Sequence, residues 1–253
     1  MALLRASLAT GLQYRADFLL DAGTGLLRAA ATVAPLALVQ AHTGSLGGFS
    51  IPEAGVVLGL FLLMSGLVGG FVEPNLGEVV EAVRSGTFDL VLLKPADAQL
   101  LASLRTVSPS SLWDVVAAAA VLAWSMPSLP PPSVGEVGVA GLLVGCGLAS
   151  LYGLWLLVIS LSFVFVRVDN LRYLLGAVTD AGRFPTTVFR GWSRWVLTYA
   201  IPVGLLTTFP VLALRGEAGP GVVASALATA TVFVVGSRVA WTAALARYTS
   251  ASS

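Results

Sequence analysis

Long apolar runs separated by short polar stretches dominate this chain, and six of the runs are long enough to cross a bilayer, which takes roughly 20 apolar residues in helical form. They cover residues 25–41, 54–72, 111–129, 134–166, 195–214 and 221–245. The fourth is the outlier. Its 33 residues make about 50 Å of helix against a hydrocarbon core of roughly 30 Å, so it must tilt, protrude or divide into two. Ahead of the first run, residues 1–22 follow a different pattern. Leu4, Leu8, Leu12, Ala16 and Leu19 fall on one arc and Thr10, Gln13 and Asp17 opposite, the two-faced arrangement of a helix lying in the membrane interface. The pattern predicts an all-α polytopic membrane protein of one domain, residues 1–253, with six transmembrane helices behind an N-terminal amphipathic interfacial helix.

One stretch does not belong in lipid. Between the second and third runs, residues 78–95 gather Glu78, Glu81, Arg84, Asp89 and Lys94, the one lysine of the chain. Residues 78–84 suit a short helix, with Glu81 and Arg84 three apart on one face. Gly86 supplies the left-handed residue that closes a helix. Lys94, placed before Pro95, is pushed out of helical geometry, so the chain is expected to restart there in an extended direction.

Composition agrees with the pattern: the 253 residues are 57% hydrophobic and 11% charged, where soluble proteins carry roughly a quarter charged residues, and the mean hydropathy is +0.89. Arg5, Arg15 and Asp17 interrupt the start of the chain, so no cleavable signal is expected and the N-terminus should stay attached. Lys and Arg are retained on the cytoplasmic side of spans. Six spans place Arg5, Arg15, Arg84, Lys94, Arg105, Arg167, Arg172, Arg183, Arg190, Arg194 and Arg247 on one side, with Arg215 alone on the other. Both termini are therefore expected in the cytosol, and Arg28 and Arg238, near the ends of spans, are read as snorkelling outward.

Small residues mark where helices approach. Gly55, Gly59, Gly66 and Gly70 share a face of the second run, and Gly138, Gly141 and Gly145 repeat this on the fourth. Such seams serve packing inside one subunit or between two. In the fifth run Pro202 and Pro210 each remove a backbone hydrogen bond and should kink or interrupt the helix.

The chemistry of catalysis is missing. His42 is the one histidine, without neighbouring cysteines or carboxylates, so a metal site has no ligand set, and no nucleophilic triad assembles. Asp114 reads as a boundary residue beside the cytosol, and the lone Cys146 as a small packing residue. A net charge of +1 without a basic patch excludes nucleic acid as a partner. Lys94 stands between Leu93 and Pro95, so no phosphate-binding loop is present; if ATP drives this protein, another polypeptide holds it. The basic stretch 167–194 serves orientation, anionic lipid headgroups or an ATPase contact.

With these residues in place, the sequence resembles the permease subunits of type-two ABC exporters. More narrowly it is similar to a branch of small six-span permeases in which two permeases work with one kind of ATPase. The likeness rests on Arg84-Ser85-Gly86-Thr87-Phe88-Asp89-Leu90-Val91-Leu92-Leu93-Lys94-Pro95, on Arg183-Phe184-Pro185, and on Ile201-Pro202 and Phe209-Pro210. It implies an elbow helix over 1–22 and a first cytosolic loop over 73–110. Glu78, Glu81, Arg84, Gly86, Thr87, Asp89, Lys94 and Pro95 would couple that loop to an ATPase. It also implies a second cytosolic loop over 167–194 and a re-entrant outer segment over 209–219. Two copies of a cytosolic ATPase would hold ATP and magnesium, while this chain binds no cofactor and is not an enzyme. A second permease, identical or related, would complete the complex among the lipids of a bacterial cytoplasmic membrane. An ion-driven carrier, a scaffold and a lipid-modifying enzyme are the competing classes.

Overall fold

The computed structural model describes residues 15–42, 45–103, 106–108, 111–163, 176–177 and 179–248. Most of the expected interfacial helix, residues 1–14, lies outside the described residues, as do residues 164–175 of the expected second loop. The chain forms helix α1 (Arg15–His42), then a two-stranded hairpin, β1 (Ser45–Leu46) and β2 (Phe49–Ser50). Helices α2 (Ile51–Ser85), α3 (Asp89–Leu92), α4 (Ala98–Ser103), α5 (Leu112–Ser125) and α6 (Val134–Ser160) follow. The rest is α7 (Trp192–Ala200), α8 (Val203–Leu206), α9 (Thr208–Leu214) and α10 (Pro220–Ala246). Gly47 and Gly48 turn the hairpin at φ of 60° and 88°, a geometry that glycine adopts without strain. Two helices carry reciprocal starts: the Ser50 N–H donates to the Glu53 carboxylate at 2.7 Å, and Ser133 and Glu136 exchange bonds at the head of α6, which satisfies amides left open by the first turn.

Among the described residues three helices, α2, α6 and α10, are long and apolar enough to cross a membrane, and α7 with α8 and α9 makes a fourth if the bent pair is one span. The expected first run lies within α1, which continues unbroken from Arg15, so no joint separates an interfacial helix from a span at residues 22–25. The third lies in α5 and the turn behind it, a shorter apolar helix over Leu112–Ser128. The fourth is one helix as far as Ser160 and then a tight turn over Leu161–Phe163. The second run reaches furthest from expectation. After a π-turn at Val68–Val72, where a widened ring absorbs an extra residue, α2 runs on through the charged residues to Ser85. The short helix expected over 78–84 is thus the far end of a 35-residue helix.

Helices in lipid gain little from hiding apolar surface from an equally apolar solvent, so they associate through close packing at small residues. Gly55, Gly59, Gly66 and Gly70 form such a seam, and α5 lies against it: a methyl added at Gly59 would fall 2.7 Å from Leu122, at Gly66 2.8 Å from Val115, and at Gly70 2.6 Å from Ser111. That seam is internal to the chain. Gly138, Gly141 and Gly145 have nothing within 4 Å of such a methyl, because they lie on the outward face of α6. Contacts on its inward face fall to Gly147, against Leu206, and to Gly153, against the backbone of Phe233 on α10.

The fifth run is broken where the prolines predict a break. Helix α7 ends at Ala200, and the chain turns by 66° through Ile201 and Pro202 into α8 and α9. Pro210 lies within the first turn of α9, and the interruption associated with it falls at Thr207, since a proline crowds the carbonyl four residues before it. The region expected to form one cytosolic loop over 167–194 does not stay at one end of the bundle. The Thr187 hydroxyl donates to the Gly47 carbonyl at 2.6 Å, and the Thr186 N–H donates to the Thr208 hydroxyl at 2.9 Å. These bonds hold residues 186–188 at the hairpin end, where Arg215 also pairs with Glu53, opposite the end that carries residues 73–103.

An added methyl at Gly153 would meet the Phe233 carbonyl oxygen at 2.6 Å, and backbone cannot rotate aside. Gly153→Ala should therefore destabilise the fold by about 1–3 kcal/mol, read as a lowered melting temperature in detergent, whereas Gly141→Ala, in open space, should leave it unchanged.

Candidate functional site: a fastened handle and the cavity behind it

Residues 73–103 form a helical cap at the end of the bundle opposite the hairpin. The last turns of α2 are two-faced, burying Asn75, Leu76, Val79 and Val80 while Glu78, Glu81 and Arg84 point away from the body. Gly86, at φ 72°, ends the helix, and the Phe88 N–H reaches back to the Ala82 carbonyl at 3.1 Å. This tight return puts Phe88 inside, 1% exposed. Its ring stands edge-on to Phe163, Trp241 and Tyr248 at centroid distances of 5.4, 6.1 and 6.0 Å. Phe163 meets Trp241 and Tyr248 in the same way. Each such pair adds about 0.5–1.5 kcal/mol beyond the burial itself. Burial, and after it the charge of Asp89, push the Tyr248 phenol above its ordinary pKa.

A second fastening is polar. The Arg238 guanidinium on α10 donates to both carboxylate oxygens of Asp97, at 2.6 and 3.1 Å, and to the Gln99 side chain at 2.8 Å. Those bonds hold the Asp97 carboxyl below the usual carboxylate range. Both side chains are nearly half exposed, so the fork fixes geometry more than it adds stability. On α6, the Tyr152 hydroxyl takes bonds with Gln99 and Ser103 at 3.2 and 2.6 Å. Asn75 exchanges two 2.6 Å bonds with the backbone of Thr106. The cap is thus tied to α6 and α10 by contacts far apart in the chain.

The expected coupling residues divide into two groups. Glu81 and Arg84 are displayed, 74% and 51% exposed and 4.0 Å apart. Lys94 and Pro95 lie exposed at the tip beside Leu93, itself 80% exposed. The others hold the cap together: Glu78 accepts from the Thr106 hydroxyl at 2.9 Å, the Thr87 hydroxyl bonds that of Ser85 at 2.9 Å, Gly86 makes the turn, and Asp89 opens α3. The restart at Lys94 is a compact bend, not an extended one, because the Lys94 N–H reaches the Val91 carbonyl at 3.2 Å and the Ala96 N–H that of Lys94 at 2.8 Å. Phe88, Asp97, Arg238, Trp241 and Tyr248 were not singled out by the pattern. Phe88 stands inside the quoted stretch as its one aromatic residue, but nothing local ties Asp97 to a guanidinium 141 residues away.

Behind the cap, α1, α2, α5, α6 and residues in the 176–183 stretch line a half-open cavity of about 580 Å³. Asp114, expected as a solvated boundary residue, is 4% exposed and faces Arg28 across 3.7 Å. Arg28 therefore lies against a buried acid where snorkelling alone was expected. On the opposite wall Arg183 pairs with Asp180 at 3.0 Å and lies 5.8 Å from the centre of the Phe61 ring, a distance at which cation and ring attract. Paired charges are the form in which ionisable groups persist inside an apolar body. Among the described residues no group of three histidines, cysteines or carboxylates is placed to hold a metal ion.

Residues 26–252 match the family described as ABC-2 family transporter protein. No curated protein and no solved structure matches the chain. The matched span runs from within α1 to beyond α10, and the membrane-crossing helices and the separate polar cap suit a transport component that works with an ATPase carried on another chain. The chain belongs to the ABC-2 transporter family, as a multi-pass permease subunit of the type-two ABC transporters.

Proposed function

We propose that this permease forms half of the translocation pathway of an ATP-driven exporter and that the cap over residues 73–103 is the handle its ATPase grips. The observation that carries this reading is the combination of a displayed tip, Glu81, Arg84, Leu93 and Lys94, with a root locked to α6 and α10 through Phe88 and the Asp97–Arg238 fork. A motor outside the membrane needs a rigid projection, and a projection fixed to two long helices converts its displacement into rigid-body motion of the bundle. Two ATPase copies would hold ATP and magnesium.

Six passages follow if α1 and α5 cross together with α2, α6 and α10 and the chain crosses once more between Phe163 at the cap and Thr186 at the hairpin end, the bent α7–α9 unit then being re-entrant. An elbow over residues 1–22 would then share its last turns with α1, with both termini and the cap in the cytosol of a bacterium. Residues 209–219 belong to the outer end in this reading. They close the exit behind the break at Pro202. The open stripe of Gly138, Gly141 and Gly145 leaves room for close approach of a second permease, like or unlike this one, and cargo moves between the halves. An ion-driven carrier would use Asp114 as its coupling carboxylate. Against that, Asp114 sits in the first turn of α5 with Arg28 beside it, a pair that lowers the net charge available to a coupling ion.

Replacing Glu81, Arg84 and Lys94, the displayed charges, together with alanine should leave insertion and folding intact. ATP hydrolysis by the co-purified complex should become independent of cargo; unchanged coupling in reconstituted vesicles would refute the handle. Phe88→Ala attacks the root instead. Emptying that aromatic box should cost about 3–5 kcal/mol and expose the 86–97 turn to protease at a concentration that leaves the parent chain whole.

A further inference from the structure

We infer that Arg215 is a positioning residue for transport, the joint through which α2 moves the outer arm formed by α8 and α9. The arm has two ends. One leaves the break at Ile201 and Pro202, where the proline lacks an N–H to continue the helix ladder and a hinge results. The other is Arg215, directly after the last turn of α9, and its side chain reaches the start of α2. Its Nε lies 3.5 Å from Oε1 of Glu53, and its guanidinium carbon 5.8 Å from the centre of the Phe49 ring on β2. A terminal nitrogen holds the Glu217 carboxylate at 2.7 Å.

Glu53 uses its two oxygens differently. Oε2 accepts from the Ser50 N–H at 2.7 Å and from the Ser50 hydroxyl at 2.8 Å, which closes the first turn of α2, and Oε1 is left to face Arg215. A carboxylate fixed to the helix it caps cannot swing after the arginine, so a shift of the outer end of α2 carries Arg215 with it. The two side chains are 14% and 30% exposed; a pair this open adds little stability, and what it supplies is position. Because α2 runs from Ile51 to Ser85, displacement of the cap arrives at Glu53 and passes to the arm. Cys146 on α6, the one thiol of the chain, lies beneath that arm, buried with Leu205 and Ala213 of the arm and with Leu143 and Ala226. Its reactivity therefore reports whether the arm is seated. As a step of transport the joint rests on the reading of the cap as the ATPase handle, but the attachment of the arm to α2 is measured on this chain alone, so the two can fail separately.

Alkylation of Cys146 by N-ethylmaleimide is timed by mass spectrometry on the purified full chain in dodecyl maltoside. Glu53→Gln keeps an acceptor for the capping bonds and removes the charge that faces Arg215. Alkylation should quicken about two- to fivefold, the extra opening expected when a pair of this exposure is lost, at an unchanged melting temperature. Arg215→Gln should do the same, and the double variant should go no further than either, since all three remove one contact. Arg215→Lys, which keeps the charge, should stay near the parent rate. In vesicles holding the co-purified complex, ATP should change the alkylation rate of the parent and not that of Glu53→Gln, while hydrolysis continues in both. Parent-like alkylation of the isolated Glu53→Gln chain, or effects that multiply in the double variant, overturns the joint. An ATP response that survives in Glu53→Gln overturns it as a step of transport, whereas a parent without any ATP response refutes the ATPase handle and leaves the isolated chain to decide the joint.

Discussion

A projection moves only what it is fastened to, and here the fastening is the burial of one phenylalanine. Phe88 sits two residues beyond the glycine that ends α2, enclosed by Phe163, Trp241 and Tyr248. Without it, residues 86–97 would be a solvated loop, and force on the tip would be dissipated in loop motion. With it, the tip, the end of α2 and the lower part of α10 form one packed unit. The Arg238 fork and the Tyr152 bonds set the orientation of that unit. The unbroken run of α2 from Ile51 to Ser85 extends it to the opposite end of the bundle.

The polar groups inside the body obey a stricter accounting, because lipid offers them no partners. Arg28 faces Asp114, and Arg183 lies between Asp180 and Phe61. These charges border the cavity rather than the lipid-facing surface. The outward surfaces of α6 and α10 are apolar, with Val134, Val137, Val232, Val235 and Val239 exposed, as contact with lipid requires.

What the sequence made legible was local. The polar stretch 78–95, the closing turn at Gly86, the break at Pro202 and the packing role of Gly55, Gly59, Gly66 and Gly70 each follow from residue type and short spacing. What it hid was long-range or continuous. Asp97 meets Arg238 across 141 residues and Thr187 meets Gly47 across 140, and no periodicity reports such pairs. Charge counting grouped residues 167–194 as one loop because it weighs arginines and ignores threonines, whose hydroxyls carry residues 186–188 to the other end. The boundary between span and cap vanished because a π-turn at two glycines, Gly69 and Gly70, keeps the helix going where composition changes. The outward stripe on α6 was legible as a seam but not as an unfilled one, since spacing does not say which neighbour is present.

The most direct measurement of the central claim is site-specific photocrosslinking in native membranes. A photoreactive amino acid is placed at Leu93, on the exposed tip, and in a parallel chain at Ser45, on the hairpin. The account predicts that Leu93 captures a nucleotide-binding ATPase subunit and Ser45 does not. Capture from Ser45, or a Leu93 adduct formed with lipid alone, would contradict it.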